Sequence, residues 1–211
     1  MNAATKPEDL ALAIVVPVFN GKIKRLPQGT KLKYSVDPND FPTYLQFIEA
    51  DLTFARAVAK INGLSLGVRF ERVLGEEALF KLKHKKNEGG YEGFIEFSFW
   101  PWSSSADRVV HIFQKAFDDY DNKFGICLHA ILHILGLAHE FQPEQKGIDC
   151  VVIGERDPFS IMDYYVPGTM DPRDWAVADL TEQDKVGLRM FFNYSVTSFS
   201  ANGRTYEVED V

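Results

Sequence analysis

The chain reads as an α+β fold, and three features of its sequence predict this. Short segments of strand character crowd its first half, two helical segments frame them, and a third helix opens near the end at Leu180-Thr181-Glu182-Gln183-Asp184. With 211 residues, 45% of them hydrophobic, the chain can bury one good core, and a single domain over residues 1–211 is the natural count.

Taken in order, Asn2–Asp9 form a loose start, and the short apolar stretch Leu10–Val18 reads as a strand or an N-terminal packing segment. Lys31–Val36 alternates, with Leu32, Tyr34 and Val36 on one side, as a half-buried strand does. Asp37–Asp40, with Pro38 and Pro42, turns the chain into a helix over about Thr43–Ile61. Leu45, Ile48, Ala50, Leu52, Ala55 and Val58 recur in that helix near helical spacing. Strands are expected at about Leu64–Val73, Leu79–Lys86, Gly93–Phe99 and Arg108–Phe113, with a turn at Asn87-Glu88-Gly89-Gly90. Trp100-Pro101-Trp102 and Ser103–Ser105 have edge and loop character. The C-terminal residues Tyr194–Val211 suit a hairpin about Asn202-Gly203 or a tail along a cleft.

Residues 129–139 carry the chemistry: His-Ala-Ile-Leu-His-Ile-Leu-Gly-Leu-Ala-His holds three of the chain's five histidines. Residues four apart share a helix face, so His129 and His133 can present two imidazoles to one ion. Phe124, Ile126, Leu128, Ile131, Leu132, Ile134 and Leu135 make the segment apolar nearly all round, as in a buried helix. Gly136 is placed to end that helix and return His139 toward the same ion. Three imidazoles with a fourth position open describe a catalytic Zn2+ site.

Together with Ser160-Ile161-Met162-Asp163-Tyr164 downstream, this segment resembles the metzincin metalloproteases, whose pattern is H-E-x-x-H-x-x-G-x-x-H followed by a methionine turn. Glu140 after the third histidine, and Tyr164 two residues after Met162, make the resemblance astacin-like. It spans roughly residues 30–195 and implies a twisted, mixed five-stranded sheet with two long helices above a cleft. Below the cleft it implies a smaller, irregular part ending in a helix, the division falling at about 1–136 and 137–211. It further implies zinc held by His129, His133 and His139, with Met162 as a floor beneath them. Tyr164 would be the donor to the tetrahedral intermediate, and Gly93–Trp102 an edge that pairs with a peptide or protein substrate. On the residues alone, Trp100 and Trp102 fit core or lid packing equally well. Arg173, in the 165–179 segment, is either a reader of acidic side chains or an exposed loop arginine. Glu140 either binds a newly formed amino terminus, as in astacins, or joins an ion pair with Arg156 or Arg173. The departures are Asp163 where astacins usually carry histidine, a short interval between His139 and Met162, and the absence of the family's disulfide cysteines.

The main departure is Ala130, which occupies the position of the catalytic glutamate. In that mechanism the glutamate takes a proton from the attacking water and returns it to the leaving amine, and losing a positioned base costs on the order of 10²–10⁴ in rate. Alanine is the best helix former, so the helix should survive the change. The chain is therefore expected to bind zinc and peptide while cleaving very poorly. Two origins are open: an engineered knockout of a protease, or a natural pseudoprotease that binds peptides.

A net charge of −7 and a pI near 5.3 argue against nucleic acid and acidic membranes as partners. No apolar run approaches the roughly 20 residues needed to span a bilayer. Leu10–Val18 lacks a basic segment before it and makes a poor signal peptide. Cys127 and Cys150 are expected as two buried free thiols, which favours a cytoplasmic setting and leaves secretion open if a leader is removed.

Overall fold

The structure, a computed structural model, describes residues 13–121, 123–141, 149–163 and 178–211. Within them the chain builds two five-stranded sheets and four α-helices. The first sheet has the order β4 (Arg69–Arg72), β3 (Lys31–Val36), β5 (Phe80–Lys85), β7 (Val109–Phe113), β6 (Glu96–Phe97). The first four are mutually parallel and β6 runs antiparallel at the edge, so the sheet is mixed, as expected.

Helix α1 (Tyr44–Asn62) starts where the Thr43 hydroxyl accepts the Gln46 N–H at 3.2 Å, a side-chain N-cap. Its buried stripe is Phe47, Ala50, Phe54, Ala57, Val58 and Ile61, whereas Leu45 and Leu52, expected on the apolar face, are exposed. Tyr34, Phe54, Phe70, Phe80 and Leu82 are buried between α1 and the sheet, each such side chain contributing roughly 1.5–3 kcal/mol. α1 also packs against α3 (Phe124–Ile134), which carries two of the histidines. Lys123, buried just before α3, ties the two helices by an ion pair with Glu49 of α1.

Several strands are shorter than their sequence suggests. Leu64–Val73 contracts to β4 because Ser65 and Gly67 take positive φ (56° and 81°), which no strand tolerates. Gly93–Phe99 contracts to the two residues of β6, and Arg108–Phe113 is followed directly by a short helix, α2 (Gln114–Asp119).

The second sheet departs from the irregular lower part that the sequence suggested. Its order is β8 (Cys150–Gly154), β1 (Ala13–Phe19), β2 (Lys22–Arg25), β10 (Arg204–Asp210), β9 (Ser198–Ala201). Strands from the chain's start thus pair with strands from its last third: β1 antiparallel with β8, and β2 parallel with β10. Two Asn-Gly turns close its hairpins, Asn20-Gly21 (φ 52° and 77°) and Asn202-Gly203 (φ 52° and 72°), the positive φ pairs that two-residue hairpin loops require. The C-terminal residues form the hairpin expected about Asn202-Gly203, so helix α4 (Glu182–Phe191) is followed by β9 and β10 and does not close the fold. Arg25 of β2 anchors the region: its guanidinium donates to Asp210 Oδ1 at 2.9 Å and to the carbonyls of Phe191, Asn193 and Val196. No helix among the described residues is long and apolar enough to cross a membrane. Both cysteines are free, Cys127 buried and Cys150 only half-buried.

Candidate metal centre

Helix α3 is buried along its whole length from Gly125 to Ile134, which fits its nearly all-round apolar sequence. Its end is a Schellman turn: Gly136 N–H donates to His133 O at 2.9 Å and Leu137 N–H donates to Leu132 O at 3.0 Å. Gly136 itself sits at φ +101°, a conformation that side chains rarely adopt. The chain that emerges is fixed twice. Ala138 N–H donates to Val15 O of β1 at 2.8 Å, and Glu140 N–H donates to Met162 O at 3.2 Å. His139 lies between these two anchors and is carried back against the helix.

The three imidazoles converge. His129 Nε2 is 3.1 Å from His139 Nε2 and 3.1 Å from His133 Nε2, and the third separation is 3.0 Å. The opposite ring nitrogens of two of them face carbonyl oxygens: His129 Nδ1 lies 2.8 Å from Ile161 O, and His133 Nδ1 lies 2.8 Å from Leu137 O. A carbonyl can only accept, so Nδ1 carries the proton in both rings and Nε2 presents its lone pair. Burial holds the His133 pKa down at about 4, so this ring is neutral near pH 7. Bare nitrogens aimed at one another repel unless a cation lies between them. Tetrahedral ligands at zinc distances stand roughly 3.3 Å apart, close to the spacing seen here. The donor set fits zinc, and the two carbonyl contacts are the kind of outer support that orients metal-ligating histidines.

Met162 is buried, in a turn whose Ile161 carbonyl holds His129. That turn is pinned by the final helix. Asp184 accepts the Ser160 hydroxyl at 2.6 Å and the Thr181 N–H at 2.8 Å, while Thr181 Oγ1 accepts the Asp184 N–H at 2.9 Å. One carboxylate therefore caps α4 and fixes the methionine turn together. Arg156, considered as a partner for Glu140, reaches Asp163 at 3.4 Å. Glu140 is buried beside Asp184 and Asp157, and burial first, then those charges, push its carboxyl up to about 8.

Trp100 and Trp102 stack on one another at 5.2 Å. Trp100 and the His133 ring form a T-shaped pair with centroids 5.3 Å apart, and Trp102 meets Phe19 of β1 at 4.6 Å. The pair therefore joins the margin of the triad to the second sheet. Ala130 is fully buried on α3 and offers no polar atom. Tyr164 and Arg173 lie outside the described residues.

Sequence reasoning missed one residue at the centre. Glu96 of β6 is buried, with Oε1 3.7 Å from His129 Nε2 and Oε2 without a hydrogen bond. Burial pushes its carboxyl up to about 8. Its signal was a lone acid among Phe94, Ile95 and Phe97, within the segment read as the peptide-binding edge.

No family model matches the sequence, and no curated protein matches it. The fold is similar to the solved structure of myroilysin, with a TM-score of 0.58 and 13% sequence identity over 85% of this chain and 98% of that one. At that identity the likeness is one of fold.

Proposed function

We propose that this chain is a zinc-dependent peptidase of the metzincin type, astacin-like and minimal, in which position 130 no longer carries the general base. The observation that carries the reading is the converging trio of Nε2 atoms, two of them with the opposite nitrogen held by a carbonyl. The similarity in fold to myroilysin, a metzincin-type metalloprotease, supports it. So does the place of β6 at the edge of its sheet among the described residues, where an extended peptide can add as a further strand.

In this reading His129, His133 and His139 hold the zinc, and Gly136 and the methionine turn hold the histidines. Zinc, when bound, acidifies water to a pKa of about 7 and polarises the substrate carbonyl. The edge of β6 orients the peptide, Met162 closes the floor, and Tyr164 donates to the developing oxyanion. Ala130 can neither accept nor return a proton. The chain is one catalytic domain, with its cleft dividing the residues before and after Gly136.

Ala130 also favours a second reading, a natural zinc-dependent module that binds peptide or protein without cutting it. Cleavage of a mixed peptide library by Ala130→Glu separates the two, with the unchanged chain and a chelated sample alongside. Robust, chelator-sensitive cleavage by the glutamate form supports the peptidase. A folded, zinc-loaded glutamate form that cuts nothing supports the binding module.

A further inference from the structure

We infer that Glu96 supplies, from the edge strand, the catalytic carboxylate that the metal-binding helix lacks at position 130. This rests on the peptidase reading above.

Glu96 is as buried as a core residue, yet Oε2 makes no hydrogen bond and Oε1 faces a ring nitrogen of the triad at 3.7 Å. Carboxylates are almost never fully buried unless paired, and an orphaned buried acid calls for an explanation. The polar groups beside it are the Ser98 hydroxyl, which lies near without a well-formed hydrogen bond, and His129, through the nitrogen read here as metal-binding.

Glu96 lies opposite Ile112 in the antiparallel β6–β7 pair, and Ile112 is buried. Phe97, the next residue, projects to the other face and is half exposed. The alternation therefore turns Glu96 inward toward α3, on the strand that, among the described residues, ends the sheet and would align a peptide. Backbone contacts to substrate and a carboxylate at the triad thus come from the same two residues.

The position of Glu96 distinguishes a base from a fourth ligand. The cluster of side chains whose ligand atoms lie within 4.8 Å of one another consists of the three histidines, without Glu96. Ligands of one zinc ion stand at most roughly 4.2 Å apart, twice the metal–nitrogen distance. Glu96 lies beside the ligand set and not within it, at the reach of one intervening water.

In the reaction, Glu96 takes a proton from the attacking water as the water oxygen bonds to the peptide carbonyl carbon. It then delivers that proton to the amide nitrogen as the C–N bond breaks. Water is consumed, one acid and one amine are formed, and the carboxylate is regenerated.

The test compares the zinc-loaded full chain with Glu96→Gln, Glu96→Asp, Ala130→Glu and the Glu96→Gln/Ala130→Glu double variant. The readouts are cleavage of a mixed peptide library, zinc affinity by chelator competition, and affinity for a phosphinic peptide that mimics the tetrahedral intermediate. The unchanged chain should cleave slowly, and Glu96→Gln should lower that rate on the order of 10²-fold or more. Zinc affinity should stay within about threefold, while phosphinic-peptide binding should weaken about tenfold, the cost of one charge-assisted hydrogen bond. The double variant should regain activity through position 130. If Glu96→Gln does not fold, Glu96→Asp carries the test, with a rate between those of the parent and zero. The inference is overturned if the unchanged chain is inactive while Ala130→Glu cuts, if Glu96→Gln cuts as well as its parent, or if Glu96→Gln loses zinc tenfold or more. In each case the peptidase reading stands. Absence of cleavage by every form, Ala130→Glu included, removes both.

Discussion

Replacing Gly136 with alanine isolates the device that carries His139 back to the helix. Gly136 holds φ +101°, where an L residue costs about 1–2 kcal/mol. Sterics add little, since an added Cβ would stand 3.6 Å from Pro101 Cγ, 3.7 Å from Lys24 O and 3.9 Å from Trp102 Cζ3, all ordinary contact distances. The cost is therefore conformational, and it must appear in one of two places. If the turn keeps its shape, the metal-free protein loses about 1–2 kcal/mol of unfolding free energy. If the turn relaxes instead, the two Schellman hydrogen bonds break, His139 shifts, and zinc affinity falls by about 5- to 30-fold, the same free energy expressed as binding. Urea unfolding of the metal-free protein and chelator competition for zinc measure the two shares, which together should amount to at least about 1 kcal/mol. Both quantities unchanged would refute the claim that a left-handed glycine sets the third imidazole.

Two further perturbations test the frame and its pH response. Arg25→Ala removes a buried guanidinium that joins Asp210 to three carbonyls and lies 4.5 Å over the Tyr194 ring. It should cost about 2–4 kcal/mol in denaturant unfolding, and a loss below about 1 kcal/mol would count against this anchor. His111 is partly buried near Lys85 and Lys83, and burial first, then those charges, lower its pKa to about 4. The unfolded chain takes up this proton near the ordinary pKa of about 6.5, while the folded one resists until about pH 4. Stability of the chelated protein should therefore fall as pH drops from about 6.5 to 4, and His111→Asn should shallow that fall. An unchanged slope would show that His111 titrates alike in both states.

What the sequence made legible is what periodicity and spacing encode. The helices α1 and α3, the strands β3, β5 and β7 and the Gly136 turn follow from local patterns, and each appears close to its expected place. The converging triad follows as well, because spacings of four and six about a helix-ending glycine leave few other geometries. The second sheet was not legible, since β1 with β8 and β2 with β10 are pairings across most of the chain, and alternation names no partner. Its local signs are two Asn-Gly turns: Asn202-Gly203 marks a hairpin in the sequence, and Asn20-Gly21 is as strong a signal, readable in the same terms. The apolar stripe of α1 was legible in part: Ala50 and Val58 are buried and Ile48 packs against the core, while Leu45 and Leu52 have helical spacing yet face outward. Glu96 was hidden for a different reason. Its burial beside His129 arises only when β6 is laid on β7 and α3 passes beneath, a relation absent from any single segment.

The central claim is that His129, His133 and His139 form one zinc centre with a position left for chemistry. X-ray absorption of the protein loaded with one equivalent of zinc tests it most directly, with His133→Ala as the comparison. The account predicts three imidazole nitrogens at about 2.0–2.1 Å together with at least one oxygen, and loss of stoichiometric binding in the variant. A shell with sulfur, fewer than three imidazoles, or zinc binding unaffected by His133→Ala would contradict it.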